Sequence, residues 1–341
     1  MRRKIWQCSA SVVAAAVLAT FSLTTAVPAS AAAVNNQTDR IVVLDNNLEN
    51  RTAGCGYDFT WLATHMSSYT YLPDVFTVQQ VANQTDLTNL LTYLKNTWGK
   101  EYAGAIAIPT PTSANNMYPT AAAGSCQYQK RFQTNAVIWR KERFNKLGQA
   151  TWNSDAKYGS GSCANLMDVN PKQARTKNIA VALQDTLAKR TVVVASIHWP
   201  TNKPDGDPTR DSHSCAAENF SEANQAADNL ASTYRYANYS NAPAPARIIG
   251  GDTNAKTSID GWWQNAKNAG YRDPIAEKCG QTTGANYSVC LSQKTAENNR
   301  LDFILVEHGG GFTASASETI QVPTGGTPYS NHLAVRAMVH Y

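Results

Sequence analysis

The chain has 341 residues, 43% of them hydrophobic and 16% charged, with a formal net charge of +5. No internal repeat, charge block or low-complexity linker divides it, and its length suits one large α/β domain or two small ones. The charge is too mild to bind nucleic acid tightly by itself, although a nuclease needs only a local cleft potential and is not excluded.

The first residues, Met1-Arg2-Arg3-Lys4, are basic, and the apolar run from Ser11 to Thr25 is short for a bilayer and leads to the small residues Ala29-Ser30-Ala31. This pattern predicts a signal peptide over residues 1–31, a domain over 32–341 and an exported, extracellular protein. An uncleaved membrane anchor is the alternative, but no positive flank follows the apolar run, so no transmembrane anchor is expected. Cleavage removes three cations and no acid, taking the formal charge from +5 to +2. It also removes Cys8 and leaves Cys55, Cys126, Cys163, Cys215, Cys279 and Cys290. An even number of cysteines in an exported chain implies disulfides, with Cys279 and Cys290 the nearest pair in sequence. None of them has the short spacing of a zinc ribbon.

Short β-branched runs bounded by turns predict strands at Arg40–Leu44, Val75–Val78, Ala105–Ile108, Ala136–Trp139, Lys177–Leu183, Thr191–His198, Ala246–Gly250, Asp302–Val306 and Leu333–Val339. Helical periodicity covers Thr60–Tyr69, Asp86–Trp98, Phe220–Tyr236 and Gly261–Ala269. The spacing mixes adjacent strands with strands separated by helices. That predicts a mixed sheet, or two sheets packed face to face with helices outside.

Polar residues gather at the ends of these strands. The first ends near Asn46 and Asn47. The strand Thr191–His198 ends in a histidine before a long polar loop, where a general acid or base is usefully exposed and where a structural cap is the plainer alternative. Arg247–Gly250 is followed by Gly251-Asp252-Thr253-Asn254. Alternation on an extended chain would put Asp252 and Asn254 on one face, and an Asx-turn is the competing reading. Near the C-terminus, Arg300-Leu301-Asp302 opens one strand and Ser330-Asn331-His332 leads into the last. A carboxylate bonded to a histidine fixes its tautomer, so Asp302 and His332 would make such a pair if their strands are neighbours.

In this order the motifs resemble the endonuclease/exonuclease/phosphatase superfamily, from about Arg40 to the C-terminus. The resemblance implies an α/β, DNase I-like four-layered sandwich of two mixed β-sheets flanked by helices, and hydrolysis of phosphate esters with a metal's help. It implies catalytic roles for His198, Asp252, Asn254, Asp302 and His332, and phosphate contacts from Asn47, Asn254 and His198. It also places the metal ligands at Gln80 and Asn331, where amides stand instead of the family's usual carboxylates, with Glu49 and Asp45 as compensating acids. Mg²⁺ or Ca²⁺ is therefore expected only at a weak or altered site, and metal-independent chemistry by the two histidines is the alternative.

The leading expectation is a monomeric, secreted phosphodiesterase acting on nucleic acid. The alternatives are a phospholipase C or sphingomyelinase type of enzyme on phospholipid, and a binding protein that has lost catalysis. Lys130, Arg131, Arg140, Lys141 and Arg143 form a modest basic cluster, though Arg140–Arg143 also reads as a solvated hairpin end. Tyr57, Trp61, Tyr69 and Tyr71 read as core and rim aromatics rather than a stacking platform.

Overall fold

The computed structural model describes residues 33–48, 59–110, 134–157, 161–165, 177–200, 215–235, 243–279, 294–296, 299–307, 314–320 and 330–340. The predicted signal peptide, Glu49, Cys55, Cys126, Cys290, Tyr57, Lys130, Arg131 and most of the loop after Trp199 lie outside these residues.

In chain order the strands are β1 (Arg40–Asn47), β2 (Val75–Val81), β3 (Tyr102–Ile106), β4 (Thr134–Arg140), β5 (Phe144–Asn153), β6 (Asp155–Ala156), β7 (Ala164–Asn165), β8 (Lys177–Asp185), β9 (Arg190–His198), β10 (Ala246–Asp252), β11 (Asp302–Glu307), β12 (Ala314–Thr319) and β13 (Val335–His340). The helices are α1 (Phe59–Met66), α2 (Gln84–Trp98), α3 (Ala216–Thr233), α4 (Trp262–Asn268) and α5 (Pro274–Cys279). One sheet runs β12-β13-β1-β2-β4-β3 and the other β11-β10-β9-β8-β5, while β6 and β7 form a separate ribbon. Both large sheets are mixed: β1–β2 and β9–β10 are parallel and the remaining pairs antiparallel.

Strand alternation sorts the apolar residues into layers. Ile41, Val43, Val75, Val137, Val181, Val192, Val194, Ile248, Ile304, Val335 and Val339 share one buried cluster between the sheets, to which α5 adds Ile275. The opposite parity, including Leu44, Phe76 and Ile138, packs beneath α1 and α2. On the second sheet Val193, Ala195, Ile197, Ile249 and Phe303 lie under α3 and α4. The result is the expected four-layered α/β sandwich. Strand β9 is buried along its whole length, so it reads as a continuous apolar run. Each fully buried Val, Leu or Ile contributes about 1.5–3 kcal/mol relative to exposure.

Helix α2 shows how local chemistry sets an element. Asn83 caps it, accepting a hydrogen bond from the Asp86 backbone N–H at 2.9 Å, and Gly99 ends it at φ 64°. Its buried face is Leu87, Leu90, Leu94 and Trp98, a helical stripe against the sheet. On α1, Trp61 stacks on His65 at 5.0 Å and the Arg336 guanidinium lies 4.2 Å from the Tyr69 ring centre, so these aromatics are rim packing.

The structure corrects several expectations. Strands β5, β6, β7 and β12 and helix α5 go beyond the elements that periodicity predicts, and the last strand begins at Val335 rather than Leu333. Asp302 and His332 do not sit on neighbouring strands, because β11 and β13 belong to different sheets. Arg140 and Arg143 are not a solvated hairpin end. They are buried and paired with Asp74 and Asp185, because a guanidinium shut between the sheets needs carboxylates and carbonyls around it. Lys141, which is exposed, pairs with Glu101 at 3.2 Å.

Candidate active site

At one end of the sandwich the positions that face between the sheets change from apolar to polar. In β1 the sequence Ile41, Val43 continues as Asp45, Asn47; in β2, Val75 continues as Thr77, Gln79; in β9, Val192, Val194 continue as Ser196, His198. In β10 the same face runs Ile248, Gly250, Asp252, and β11 opens with Asp302. Register aligns these ends, since Asp252 pairs with His198 on one side and with Asp302 on the other.

Asp252 is the hub. Its Oδ2 lies 3.5 Å from His198 Nε2 and 3.7 Å from His332 Nε2, and it accepts a hydrogen bond from Asn47 Nδ2 at 3.0 Å. Its Oδ1 accepts the Asn254 backbone N–H at 2.8 Å. Burial pushes the Asp252 carboxyl above its ordinary range; His332 opposes that shift, Asp302 adds to it and His198 opposes it. His332 Nδ1 stands 2.9 and 3.1 Å from the two Asp302 oxygens, so Nδ1–H donates to Asp302 and Nε2 faces Asp252. Ser330 fixes the approach to His332: its hydroxyl donates to the Asn47 carbonyl at 2.7 Å and accepts the His332 N–H at 3.1 Å. Thr295 Oγ1 accepts the Asp302 N–H at 2.9 Å and the Leu301 N–H at 2.8 Å.

The glycines before Asp252 answer two close approaches, one from the opposite sheet and one from the neighbouring strand β9. A Cβ at Gly250 would collide with Thr77 Oγ1, and one at Gly251, whose φ is 151°, would collide with the Ile197 carbonyl. Only glycine fits both.

The expected site residues fall into three groups. His198, Asp252, Asp302, His332 and Asn47 converge, all of them buried. Asn46, the competitor of Asn47, turns away, and its Nδ2 donates to the Asn47 carbonyl at 3.3 Å. Asn254 also reaches the hub, but not by alternation. The strand ends at Asp252, Asn254 adopts a left-handed φ of 47°, and the Asp252–Asn254 contact is the Asx-type turn. Both Asn254 Nδ2 hydrogens go to protein acceptors, the Trp199 carbonyl at 2.8 Å and Asp252 Oδ2 at 3.3 Å. Its amide thus shapes the loop beside the hub. Gln80 sits half-buried at a bulge with φ 58°, Asn331 is exposed, and Glu49 lies outside the described residues.

A third acid, Asp45, is fully buried below the hub; from the sequence it stands only as a compensating ligand. Its Oδ1 accepts the Thr77 hydroxyl at 2.6 Å and Gln79 Nε2 at 2.9 Å, while its Oδ2 has no hydrogen-bond partner among the described residues. Burial first, and then the charge of Asp302, push this carboxyl well above the usual range, against the hydrogen bonds from Thr77 and Gln79. Gln79 also donates to Ser196 Oγ at 3.1 Å, tying the two sheets together. Sequence reasoning passes over Thr77, Gln79 and Ser196; the signal available is their polar character at inward-facing positions.

Asp252, Asp302 and His332 present possible metal-ligating atoms within 4.8 Å of one another. Asp302 already accepts the His332 proton and Asp252 accepts donors on both oxygens, while Asp45 is fully buried. Ca²⁺ takes roughly six to eight oxygens, whereas Mg²⁺ keeps several waters and is held by one or two carboxylates together with substrate phosphate. Gln80 and Asn331 bring no charge, so a cation held by the described residues would rest on Asp252 and Asp302.

Cys163 and Cys215 form a disulfide that joins the β6–β7 ribbon to the start of α3. Cys279 is disulfide-bonded as well, to a partner outside the described residues. No helix among the described residues is long and apolar enough to cross a membrane.

No family model matches the sequence, and no curated protein sequence matches it. Solved structures do match. The human Nocturnin catalytic domain with bound sulfate anion is 16% identical, with a TM-score of 0.56, over 88% of this chain and 94% of that one. An endonuclease/exonuclease/phosphatase family protein from Bacteroides thetaiotaomicron is 13% identical, with a TM-score of 0.53, over 89% of this chain and 98% of that one. D. rerio TDP2 complexed with single strand DNA product is 13% identical, with a TM-score of 0.51, over 89% of this chain and 99% of that one.

Proposed function

We propose that this chain, which has the DNase I-like fold of the endonuclease/exonuclease/phosphatase superfamily, is a phosphoester hydrolase that cleaves phosphodiester bonds, with nucleic acid as its substrate. The observation that carries the reading is the convergence of two imidazole Nε2 atoms on one carboxylate oxygen, with one imidazole fixed from behind by a second carboxylate. A structural core has no use for that arrangement at a sheet end, whereas an in-line displacement at phosphorus does. Asp252 orients a water and takes its proton as the oxygen attacks phosphorus. His332, protonated on both ring nitrogens with its Nδ1–H held by Asp302, gives its Nε2 proton to the leaving oxygen and becomes the neutral Nδ1–H tautomer, and His198 faces the charge that builds on the non-bridging oxygens. Asn47 and Asn254 hold Asp252 in place.

Nucleic acid is favoured over phospholipid because a fold neighbour, TDP2, is described in complex with a single-strand DNA product. A lipid-directed enzyme would need an exposed apolar or aromatic segment, and the candidate by position, Gly309–Pro328, is mostly Gly, Ser and Thr. The reading includes export after cleavage near Ala31, supported by the N-terminal pattern and by the Cys163–Cys215 disulfide. A resident Mg²⁺ or Ca²⁺ at Gln80 and Asn331 has no part in it; a cation would be held only jointly with the substrate's own oxygens.

The test is substrate profiling of the mature protein on duplex DNA, RNA and sphingomyelin. Cleavage of a nucleic acid in preference to sphingomyelin is expected. Turnover of sphingomyelin alone would transfer the enzyme to the lipid class, and silence on all three would make it a binding protein.

A further inference from the structure

Strand β9 runs past the end of its ladder with β8, whose last paired residues are Ile179 and Ser196. His198 lies two residues beyond that pair. On its β10 side the backbone is still held, since the Trp199 N–H donates to the Asp252 carbonyl at 3.0 Å. On the β8 side, side chains take over from the sheet. The His198 N–H donates to Asn178 Oδ1 at 2.8 Å, Asn178 Nδ2 donates to Ser154 Oγ at 2.8 Å, and Ser154 Oγ donates to the His198 carbonyl at 3.2 Å. The ring of contacts closes on both backbone polar groups of one residue. Asn135, from β4 in the other sheet, donates to the same Asn178 Oδ1 at 3.1 Å and anchors the amide across the sandwich. Asn135, Ser154 and Asn178 are all fully buried.

Three buried polar side chains net little from hydrogen bonds that replace those to water, and each is penalised if its partner is lost. An apolar trio would leave the His198 N–H and carbonyl without these partners, so the trio holds the β8-facing side of that residue where the ladder with β8 has ended.

We infer that Asn178 is a positioning residue: with Ser154 and Asn135 it clamps the His198 backbone so that the imidazole meets Asp252 and the substrate in one orientation. The inference rests on the proposed role of His198. Asn178 touches no reacting atom and acts through His198 alone, because its amide ends on the backbone N–H. Misplacement of a catalytic group by about 1 Å costs on the order of 10²-fold in rate. The variant Asn178→Ala should therefore lower kcat on bis-p-nitrophenyl phosphate by about tenfold to a hundredfold with little change in KM, and Ser154→Ala, which frees only the carbonyl side, by less.

The deciding readout is independent of turnover. In protein labelled with ¹³C and ¹⁵N at histidine, the His198 ring signal is identified by its absence in His198→Ala. In Asn178→Ala that signal should shift and its titration midpoint should move, while the His332 signal, held by Asp302, stays in place. An unmoved His198 signal in Asn178→Ala overturns the inference even if the variant is less heat-stable. Were Asn178→Ala not to fold, the same spectrum of Ser154→Ala decides. A protein inert on every phosphoester in which the His198 signal still moves would sink the functional reading and leave the clamp standing.

Discussion

Asp302 and His332 show what a single residue contributes. The carboxylate selects the tautomer that puts a proton on Nδ1, and without it the imidazole has no fixed orientation toward Asp252. General acid–base catalysis by a positioned side chain is worth about 10²- to 10⁴-fold. Asp302→Asn should thus reduce kcat within that range, while circular dichroism shows the fold retained; activity within twofold of the parent would remove Asp302 from the mechanism. Glu222, on α3, offers a separate test of burial. Desolvation first, then the charge of Asp155, raise its carboxyl from an ordinary value of 4.5 to about 7. Because the folded-state value is raised, the favourable contribution is full below the unfolded value and is lost as pH rises through about 7. Glu222→Gln should accordingly gain in Tm over the parent between about pH 5 and about pH 8, and a difference that does not vary with pH contradicts this. At this scale the sequence shows which residues end strands, and so Asn47, His198, Asp252, Asp302 and His332 are legible. The partners Asn178, Ser154 and Thr77 are not, since each depends on a contact between strands far apart in the chain.

Among the elements, β10 carries the tightest constraint. Its Gly250 faces the Thr77 side chain, which has some freedom to yield, whereas Gly251 faces the Ile197 backbone and holds a φ that other residues rarely adopt. Overpacking a core typically costs about 1–3 kcal/mol. Gly250→Ala should fall in that range in urea unfolding and Gly251→Ala above it; the reverse order would contradict the packing assigned to β10. Strands buried on both faces, such as β9, are readable because burial leaves an unbroken apolar run. Strand β5 escapes notice because it is a sheet edge with exposed alternate positions, and its sequence FNKLGQATWN carries few apolar residues. The short α5 holds too few residues to show a period. The alternation argument for Asn254 fails for a local reason: the chain leaves extended geometry at the Asx turn, one residue after the strand ends.

For the whole molecule, the sandwich explains why the site needs residues from both halves of the chain. Asn47, Gln79 and Ser330 come from the six-stranded side and His198, Asp252 and Asp302 from the five-stranded side, so the site exists only when the sheets are packed. The motif order makes that architecture legible, but the pairing of Asp302 with His332 across the sheets follows from packing and cannot be read from strand order. The charge balance also belongs to this scale. Two amides stand where acids are expected, and Asp252 and Asp302 are already committed to protein donors. A cation resident at 100 times its Kd would add about 2.7 kcal/mol of stability. Thermal unfolding of the free protein should therefore be the same in EDTA and in Mg²⁺ or Ca²⁺, and a rise of several degrees with either cation would show a resident site.

The central claim is that two histidines converging on Asp252 hydrolyse a phosphodiester. Its most direct test is the initial rate of bis-p-nitrophenyl phosphate hydrolysis by the parent, His198→Ala and His332→Ala, each confirmed as folded. The account predicts turnover by the parent and a loss of at least about 10²-fold in each variant. Turnover that survives both substitutions would place the chemistry elsewhere in the molecule.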